Sequence, residues 1–450
     1  SENTTFNEWS AKKGYGYRTN QRLSSTPMWS PRVGFRWDIK NDRKFILRGG
    51  VGIFTGRIPF VWLSNNFTNT GVQTSSYSAR QNSNVQLILD PNNQNKNAES
   101  LKASGSQLIN VFDKNFKFAQ TLRFNLGFDF NLLGIDWTAE GIFSKSLNDV
   151  YYKNIAYEET GKTLSQDSYM NWDNRPMYQK VADASQFTNI YAMHNTSKGY
   201  SYSLSLAATK RFNFGLDLSA SYTFTHSESV SSMTSSVAQS NWRNTHTYRF
   251  SNDPELANSG YNVPHTVKAS AFYHVNWGPS KLFTTTVGLI YQGKSGAPYS
   301  LLYNGDINGD GGTSNDLIFI PTDEQVDQMK FKGTAAHSAE EMRANLKQWL
   351  ATTDYVKDHR GQYAERYGAN LPFESHFDFH FGQKFGIKAG KYVHALEVTM
   401  DIMNVANLLN KRWGRTFSSS YNSEFVTPLT YSGGGEFQFD NDADMPLKYP

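Results

Sequence analysis

Along most of this chain, apolar and polar residues alternate one by one. In "TLRFNLGFDFNL", Leu122, Phe124, Leu126, Phe128 and Phe130 alternate with Arg123, Asn125, Gly127, Asp129 and Asn131. "HTVKASAFYHVNW" repeats the pattern with Val267, Ala269, Ala271, Tyr273, Val275 and Trp277 on one parity. It recurs in "RVGFRWDI", "RKFILRGGVGIF", "GIDWTAEGIF", "YSYSLSLAATK", "LDLSASYTFT", "KLFTTTVGLIY", "FESHFDFHF" and "YVHALEVTMDI". A period of two places successive side chains on opposite faces, so each segment predicts a β-strand. There are about ten, most of them roughly 8 to 13 residues long, against about 5 or 6 for an average globular strand. A tilted strand crossing a bilayer needs about 9 to 11.

The connections differ at the two strand ends. Short links ("KNDR", "NLLG", "RFNFG", "NWGPS", "IKAGK") alternate with long ones over about 55–116, 148–196, 228–263 and 294–372, with a further one from 407 onward. Short turns on one side and long loops on the other are the habit of outer-membrane barrels. Aromatic residues follow the same division. Trp37, Phe130, Trp137, Trp277, Phe283 and Tyr392 carry the apolar parity near the short turns, and Tyr200, Tyr202, Tyr291 and Phe373 carry it near the long loops. Two aromatic belts around an apolar band are expected where strands cross both interfaces. The other parity holds Arg36, Arg48, Arg123, Asp129, Glu140, Lys268, Glu397 and Asp401, charges suited to a wet or plugged lumen. The predicted fold class is therefore all-β: a transmembrane antiparallel up-and-down β-barrel segment with long extracellular loops and short periplasmic turns.

Composition agrees. Aromatics make up 15% of the 450 residues although only 38% of the chain is hydrophobic, a pairing unlike a soluble core or a disordered chain. The 44 Lys and Arg residues are scattered and the net charge is +4, so no nucleic-acid partner is expected. Without cysteine there is no disulfide, thiolate metal site or Cys nucleophile. No apolar run reaches the length of a membrane helix, and "SENTTFNEWS" has no signal-peptide pattern; an export signal is expected upstream.

Motifs of chemistry are few. "GLIYQGKS" (Gly288–Ser295) fits the phosphate-loop spacing, but its middle continues a strand's alternation and Pro298 stands where a helix should begin. No G-x-S-x-G or H-E-x-x-H occurs, and His376 and His380 on a strand lie about 13 Å apart. No enzyme is expected. "SAEEMRANLKQWLAT" (Ser338–Thr352) predicts a capped helix, with Ser338 and Glu341 as capping box and Met342, Leu346 and Leu350 on one face; it is read as a small helix folded over the barrel mouth.

One stretch has metal-ligand spacing. In "NGDINGDGGTSND" (Asn304–Asp316), Asp306, Asn308 and Asp310 place oxygens at alternate positions, Gly311 suits the sharp turn, the Gly312 carbonyl is available, and Ser314 can act through water. Position 12 should be a bidentate Glu but is Leu317, with Asp316 one place early. The flanks read as extended chain. The expectation is a structural calcium site formed by Asp306, Asn308, Asp310, Gly312, Ser314 and Asp316, with an Asx-rich turn network without metal as its rival.

Several segments together resemble a known family. "SPRVGFRWDI…LRGGVGIFTGRIPFVWLSN" (Ser30–Asn65), "DPELANSGYNVPHTVKASAFY" (Asp253–Tyr273), "NGDINGDGGTSNDLIFIP" (Asn304–Pro321), "HRGQYAERYGANLPFESHFDFHFGQKF" (His359–Phe385) and "LEVTMDIMNVANLLNKRWGR" (Leu396–Arg415) are similar to the barrel of TonB-dependent outer-membrane receptors of Bacteroidetes, Oar-like and related to the SusC/RagA group. The resemblance implies a barrel of about 22 strands filled by a plug that TonB pulls to admit a nutrient such as an oligosaccharide or peptide. A surface lipoprotein lid of the SusD type is implied for many such members. This chain shows neither plug nor TonB box.

On this reading residues 1–27 are a loop or upstream strand connection, 28–406 carry the barrel strands with their long external loops, and 407–450 form a last external loop leading to a missing closing strand. The remainder of the barrel is expected from other residues or another chain. The expected location is the bacterial outer membrane, in contact with its lipid. Two rivals stand: an outer-membrane barrel that binds or adheres without import, and a soluble calcium-using β-sandwich lectin. Phe60, Trp62, Tyr77 and Tyr421 are candidates to stack on a substrate or to pack loops together; the substrate-binding residues are otherwise unknown.

Overall fold

In the computed structural model, residues 2–73, 89–93, 107–419 and 424–440 are described. Ten long strands form one antiparallel meander: β1 (Arg32–Asp38), β2 (Phe45–Thr55), β3 (Gln120–Leu132), β4 (Ile135–Asn154), β5 (Tyr200–Arg211), β6 (Leu216–Ser229), β7 (His265–Trp277), β8 (Phe283–Lys294), β9 (Glu374–Ala389) and β10 (Tyr392–Ile402). Each pairs with its sequence neighbours in that order. Every segment with period-two alternation is one of these strands. None of the described helices is long and apolar enough to cross a membrane.

Register fixes which side chains share a face. Phe35 lies opposite Gly49, Gly49 opposite Leu126, Leu126 opposite Gly141, and Gly141 opposite Leu204. Along this row Leu126 is 56% and Leu204 57% exposed. Such a continuous exposed apolar face is unfavourable against water and needs an apolar neighbour. The reverse face carries Arg48, opposite Gly127, which in turn lies opposite Glu140. Arg48 Nη1 donates to Glu140 Oε1 at 2.8 Å and Nε donates to Asp129 Oδ2 at 3.1 Å. Gly127 makes that reach possible, because a Cβ there would stand 2.8 Å from Arg48 Cζ.

The short-turn belt forms cross-strand pairs. Phe130 stacks on Trp137 with ring centres 6.2 Å apart, and Trp277 meets Phe283 edge-on at 5.1 Å. Between β3 and β4 only Leu133 and Gly134 turn the chain, with φ of 57° and 68°, the left-handed pair that the tightest hairpin needs.

The long connections are where the structure departs most from the pattern. They are not plain polar loops. Together they fold into a platform at one end of the wall, and the most deeply buried residues of the chain lie there. Pro298–Asn304 pairs in parallel with Phe425–Tyr431, which pairs with Glu436–Phe439. Beneath these strands Leu302, Ile318, Leu346, Trp349 and Phe437 pack together. The helix Ala339–Thr352 has the expected capping box, Ser338 Oγ accepting from Glu341 N at 3.2 Å, and it buries Met342, Leu346, Trp349 and Leu350 in this core. A further helix, Thr4–Lys12, is capped by Asn3 and buries Phe6 and Trp9 against Phe187, Ile109 and Ile190. Strand β4 joins wall to platform: beyond its pairing with β5, residues Asp149–Asn154 pair with Phe187–Thr196.

Candidate functional site

The sequence 304–316 lies inside the platform. Gly305, Gly309 and Gly311 have φ of 121°, 79° and 85°, so the chain coils through conformations that glycine adopts without strain. The Asp306 carboxylate accepts from the N–H groups of Gly309 (2.7 Å), Asp310 (3.1 Å) and Gly311 (2.9 Å). Asn308 Oδ1 accepts from Asp310 N at 3.0 Å, and Asp310 Oδ1 accepts from Gly312 N at 2.7 Å. Asp316, displaced by one position from the usual twelfth ligand, still turns inward. Its Oδ1 accepts from Asn308 Nδ2 at 2.6 Å and its Oδ2 from Ile307 N at 3.3 Å. Asp306, Asn308, Asp310 and Asp316 are thus drawn into one loop. Gly312 is buried beside them, and Ser314 is half-buried.

Asn315 was not singled out by spacing, yet it sits inside the loop. It is fully buried, and its Nδ2 donates to Asp310 Oδ2 at 2.8 Å and to Ser251 Oγ at 3.2 Å. Its Oδ1 meets no donor and lies so close to Gly312 that a Cβ there would be 2.0 Å away.

The loop is electrostatically uncomfortable. Burial raises the Asp306 carboxyl above its ordinary value. Burial and the neighbouring Asp306 push Asp310 up to about 7. Asp316 is raised well above the usual range by burial and by Asp310, with Arg175 opposing. The cation nearby is the fully buried Arg175. It is committed to Asp173, with Nε 3.0 Å from both carboxylate oxygens, and to the Leu317 carbonyl at 3.1 Å. The rings of Tyr303 and Tyr363 flank its guanidinium at 5.1 and 5.5 Å, and its Nη1 is 3.9 Å from Asp316 Oδ1. Neither Arg175 nor Asp173 was legible as part of the site, since more than a hundred residues separate them from the loop.

A buried group of oxygens with this charge suits a hard, oxygen-preferring divalent cation. Among the described residues no three His, Cys, Asp or Glu side chains are gathered closely enough to hold a metal by themselves. A cation here would therefore draw also on amide and carbonyl oxygens, which calcium accepts.

The remaining candidates are placed as follows. Gly288–Lys294 of the phosphate-loop spacing lies within β8, so no loop of free N–H groups exists there. His376 and His380 sit on β9 opposite Gln292 and Gly288, and His380 Nδ1 is 2.6 Å from Asp401 Oδ1. Trp62 is buried and its Nε1 donates to the Ser235 carbonyl at 2.8 Å; it packs connections together and presents no free ring for stacking. Phe60 is exposed. Tyr77 and Tyr421 lie outside the described residues.

A meander of membrane-length strands, apolar on one face and charged on the other, with belts of aromatics and a folded platform at one end, defines the wall of an outer-membrane β-barrel. Residues 6–427 match the family described as the outer membrane beta barrel domain, and the chain belongs to that family. Its location is the bacterial outer membrane. A search of curated proteins returned no match. Among solved structures, the chain is similar to the ferric enterobactin receptor of Pseudomonas aeruginosa at 12% identity and a TM-score of 0.39, covering 89% of this chain and 36% of that one. It is also similar to the outer membrane transporter YddB of Escherichia coli, at 10% identity and a TM-score of 0.41, covering 87% and 38%. A third is the siderophore receptor PirA of Acinetobacter baumannii, at 10% identity and a TM-score of 0.36, covering 88% and 38%. The chain spans little more than a third of the length of each.

Proposed function

We propose that this chain forms part of a TonB-dependent outer-membrane receptor of the Oar-like, SusC/RagA-related type. In this reading the wall is completed by further strands, the platform faces the cell exterior, and a bound nutrient such as an oligosaccharide or peptide is imported past a plug that TonB moves. The observation that carries the reading is the platform itself. A barrel that only spans the membrane needs no more than turns at its ends, whereas here five connections after β2, β4, β6, β8 and β10 contribute to folded structure at the same end. The segments of sequence that resemble this receptor group add to it, running from Ser30 to Arg415. A surface lipoprotein of the SusD type is the partner that this reading proposes. No step in this function makes or breaks a covalent bond in the substrate.

The test is energy-dependent uptake in cells carrying the full-length protein. Collapse of the inner-membrane proton gradient is expected to abolish uptake while leaving surface binding intact. Uptake that continues without the gradient contradicts TonB coupling, and binding with no uptake under any condition favours a receptor that does not import.

A further inference from the structure

We infer that the 304–316 loop is a calcium-dependent latch that locks three separate connections of the platform into one body. The loop itself belongs to the connection between β8 and β9. Several of its polar partners do not. From the connection between β6 and β7, the Arg249 carbonyl accepts from Asn308 Nδ2 at 3.0 Å, Ser251 Oγ accepts from Asn315 Nδ2, and Thr247 N donates to the Asn315 carbonyl at 2.9 Å. From the connection between β4 and β5, Tyr178 N donates to the Asn308 carbonyl at 2.8 Å and the Arg175–Asp173 pair abuts Asp316. The Tyr157 ring lies against Gly311, where a Cβ would be 2.6 Å away. Every residue that would bind the cation therefore also holds, directly or through one neighbour, a segment from another connection.

Two observations point to a cation rather than to a turn network alone. The loop buries Asp310 and Asp316 completely and Asp306 in part, while Arg175 beside them is paired with Asp173 at 3.0 Å and reaches Asp316 only at 3.9 Å, so the carboxylates outnumber the charge that faces them. Burying unpaired charge is costly. Independently, Asn315 Oδ1 is a fully buried acceptor without a donor, inside the loop. An orphaned amide oxygen costs about 1–3 kcal/mol, and a metal ion is the partner that satisfies it together with the carboxylates. Asp306, Asn308, Asp310, Asn315 and Asp316 are the side chains that would supply oxygens. Ser314, which spacing offered, is not needed. The inference rests on the platform facing the calcium-containing exterior, but its test is carried out on purified protein and does not depend on uptake.

The experiment uses the full-length protein in detergent, first stripped with a chelator. Terbium serves as a luminescent stand-in for calcium, sensitised by Tyr157 and displaced by calcium. In parallel, hydrogen exchange follows residues 155–199, 230–264 and 295–373 during a calcium titration. The expected result is protection of all three connections with one midpoint, in the range of about 10⁻⁴ to 10⁻³ M of weak extracellular sites. Asp310→Asn keeps the shape and the acceptor for Gly312 N, so the protein is expected to fold with its midpoint shifted at least tenfold to weaker binding. Sensitised terbium emission is expected to be lost in the same variant. No terbium emission together with no calcium-dependent protection overturns the inference. Protection confined to 295–373 overturns the latch. Failure of either kind leaves the uptake test untouched.

Discussion

Replacing Arg175 by Met separates the platform's stability from that of the wall. Met has a similar length, retains apolar contact with Tyr303 and Tyr363, and removes the charge. What it leaves behind sets the magnitude. Asp173 is fully buried and loses both 3.0 Å contacts from the guanidinium, keeping the backbone N–H of residue 175 at 3.1 Å and the Tyr363 hydroxyl at 2.8 Å. The Leu317 carbonyl loses its donor. Breaking a buried pair from one side costs about 3–5 kcal/mol, because a charge remains in a poorly solvating interior. If that cost falls on local opening, exchange of platform amides accelerates on the order of a hundred- to several-thousand-fold, at about 1.4 kcal/mol per decade. The assay is hydrogen exchange read by mass spectrometry on the intact protein, comparing the strand Pro298–Asn304 and the helix Ala339–Thr352 with β3 and β7. The variant is expected to loosen the first pair and leave the wall strands unchanged. Acceleration of less than about threefold, or equal loosening of wall and platform, refutes the argument that Arg175 is a buried internal tie.

Other outcomes follow from the same geometry. Arg48→Ala removes an ion pair of the same chemistry, but its side chains stand 32%, 34% and 26% exposed, so heat- or urea-induced unfolding is expected to shift by less than about 1 kcal/mol. His246 is fully buried, its Nδ1 2.9 Å from Ser300 Oγ, with Arg366 and the rings of Tyr367 and Phe425 facing it. Burial and Arg366 push it down to about 3. A base whose folded value is depressed contributes stability that is intact above its unfolded value near 6.5 and is lost as pH falls toward the folded one. The His246 contribution to platform protection should therefore decline by up to about 1.4 kcal/mol per pH unit below that point, opposed over the same range by Asp310 and Asp316, whose raised carboxyls favour the folded platform as pH falls. Exchange measured between pH 7 and 4 in wild type and His246→Gln isolates the His246 contribution as their difference, which should grow as pH falls, while the parts due to His194, which burial pushes down to about 4, and to Asp310 and Asp316 are common to both. Leu126→Arg, in the middle of β3 on the apolar face, should destabilise the folded protein by about 2–4 kcal/mol. Asn125→Arg on the facing-away side should cost under about 1 kcal/mol by the same folding assay.

The wall was readable from sequence because its two faces carry residues of different polarity. Alternation such as Leu122 to Phe130 against Arg123 to Asn131 reports that condition directly. The aromatic pairs at the turns followed from the same parity. The platform was hidden for the opposite reason. Pro298–Tyr303 is buried on both faces, so "PYSLLY" shows no period. Its partner Phe425–Tyr431 lies far along the chain and pairs in parallel, which leaves no local turn signal. The helix Ala339–Thr352 was legible because cap and apolar stripe are both local. In the acidic loop, the spacing of Asp306, Asn308, Asp310 and Asp316 was visible. Asn315 was passed over because an Asn at an unlisted position has no signature. Arg175 and Asp173 enter only through tertiary contact.

One face of this wall meets lipid and the other water. The chain has no cysteine of its own, so single cysteines can be placed along β3 without background and spin-labelled in bilayers. Accessibility to oxygen, which concentrates in lipid, and to a water-soluble nickel complex would then be measured from residue 122 to residue 129. A period of two is expected: oxygen contact at Leu122, Phe124, Leu126 and Phe128, and nickel contact at Arg123, Asn125 and Asp129, with Gly127 left unlabelled because a side chain there would meet Arg48. Equal exposure of both sets to the nickel complex would contradict it, for then neither face of the sheet lies against a membrane.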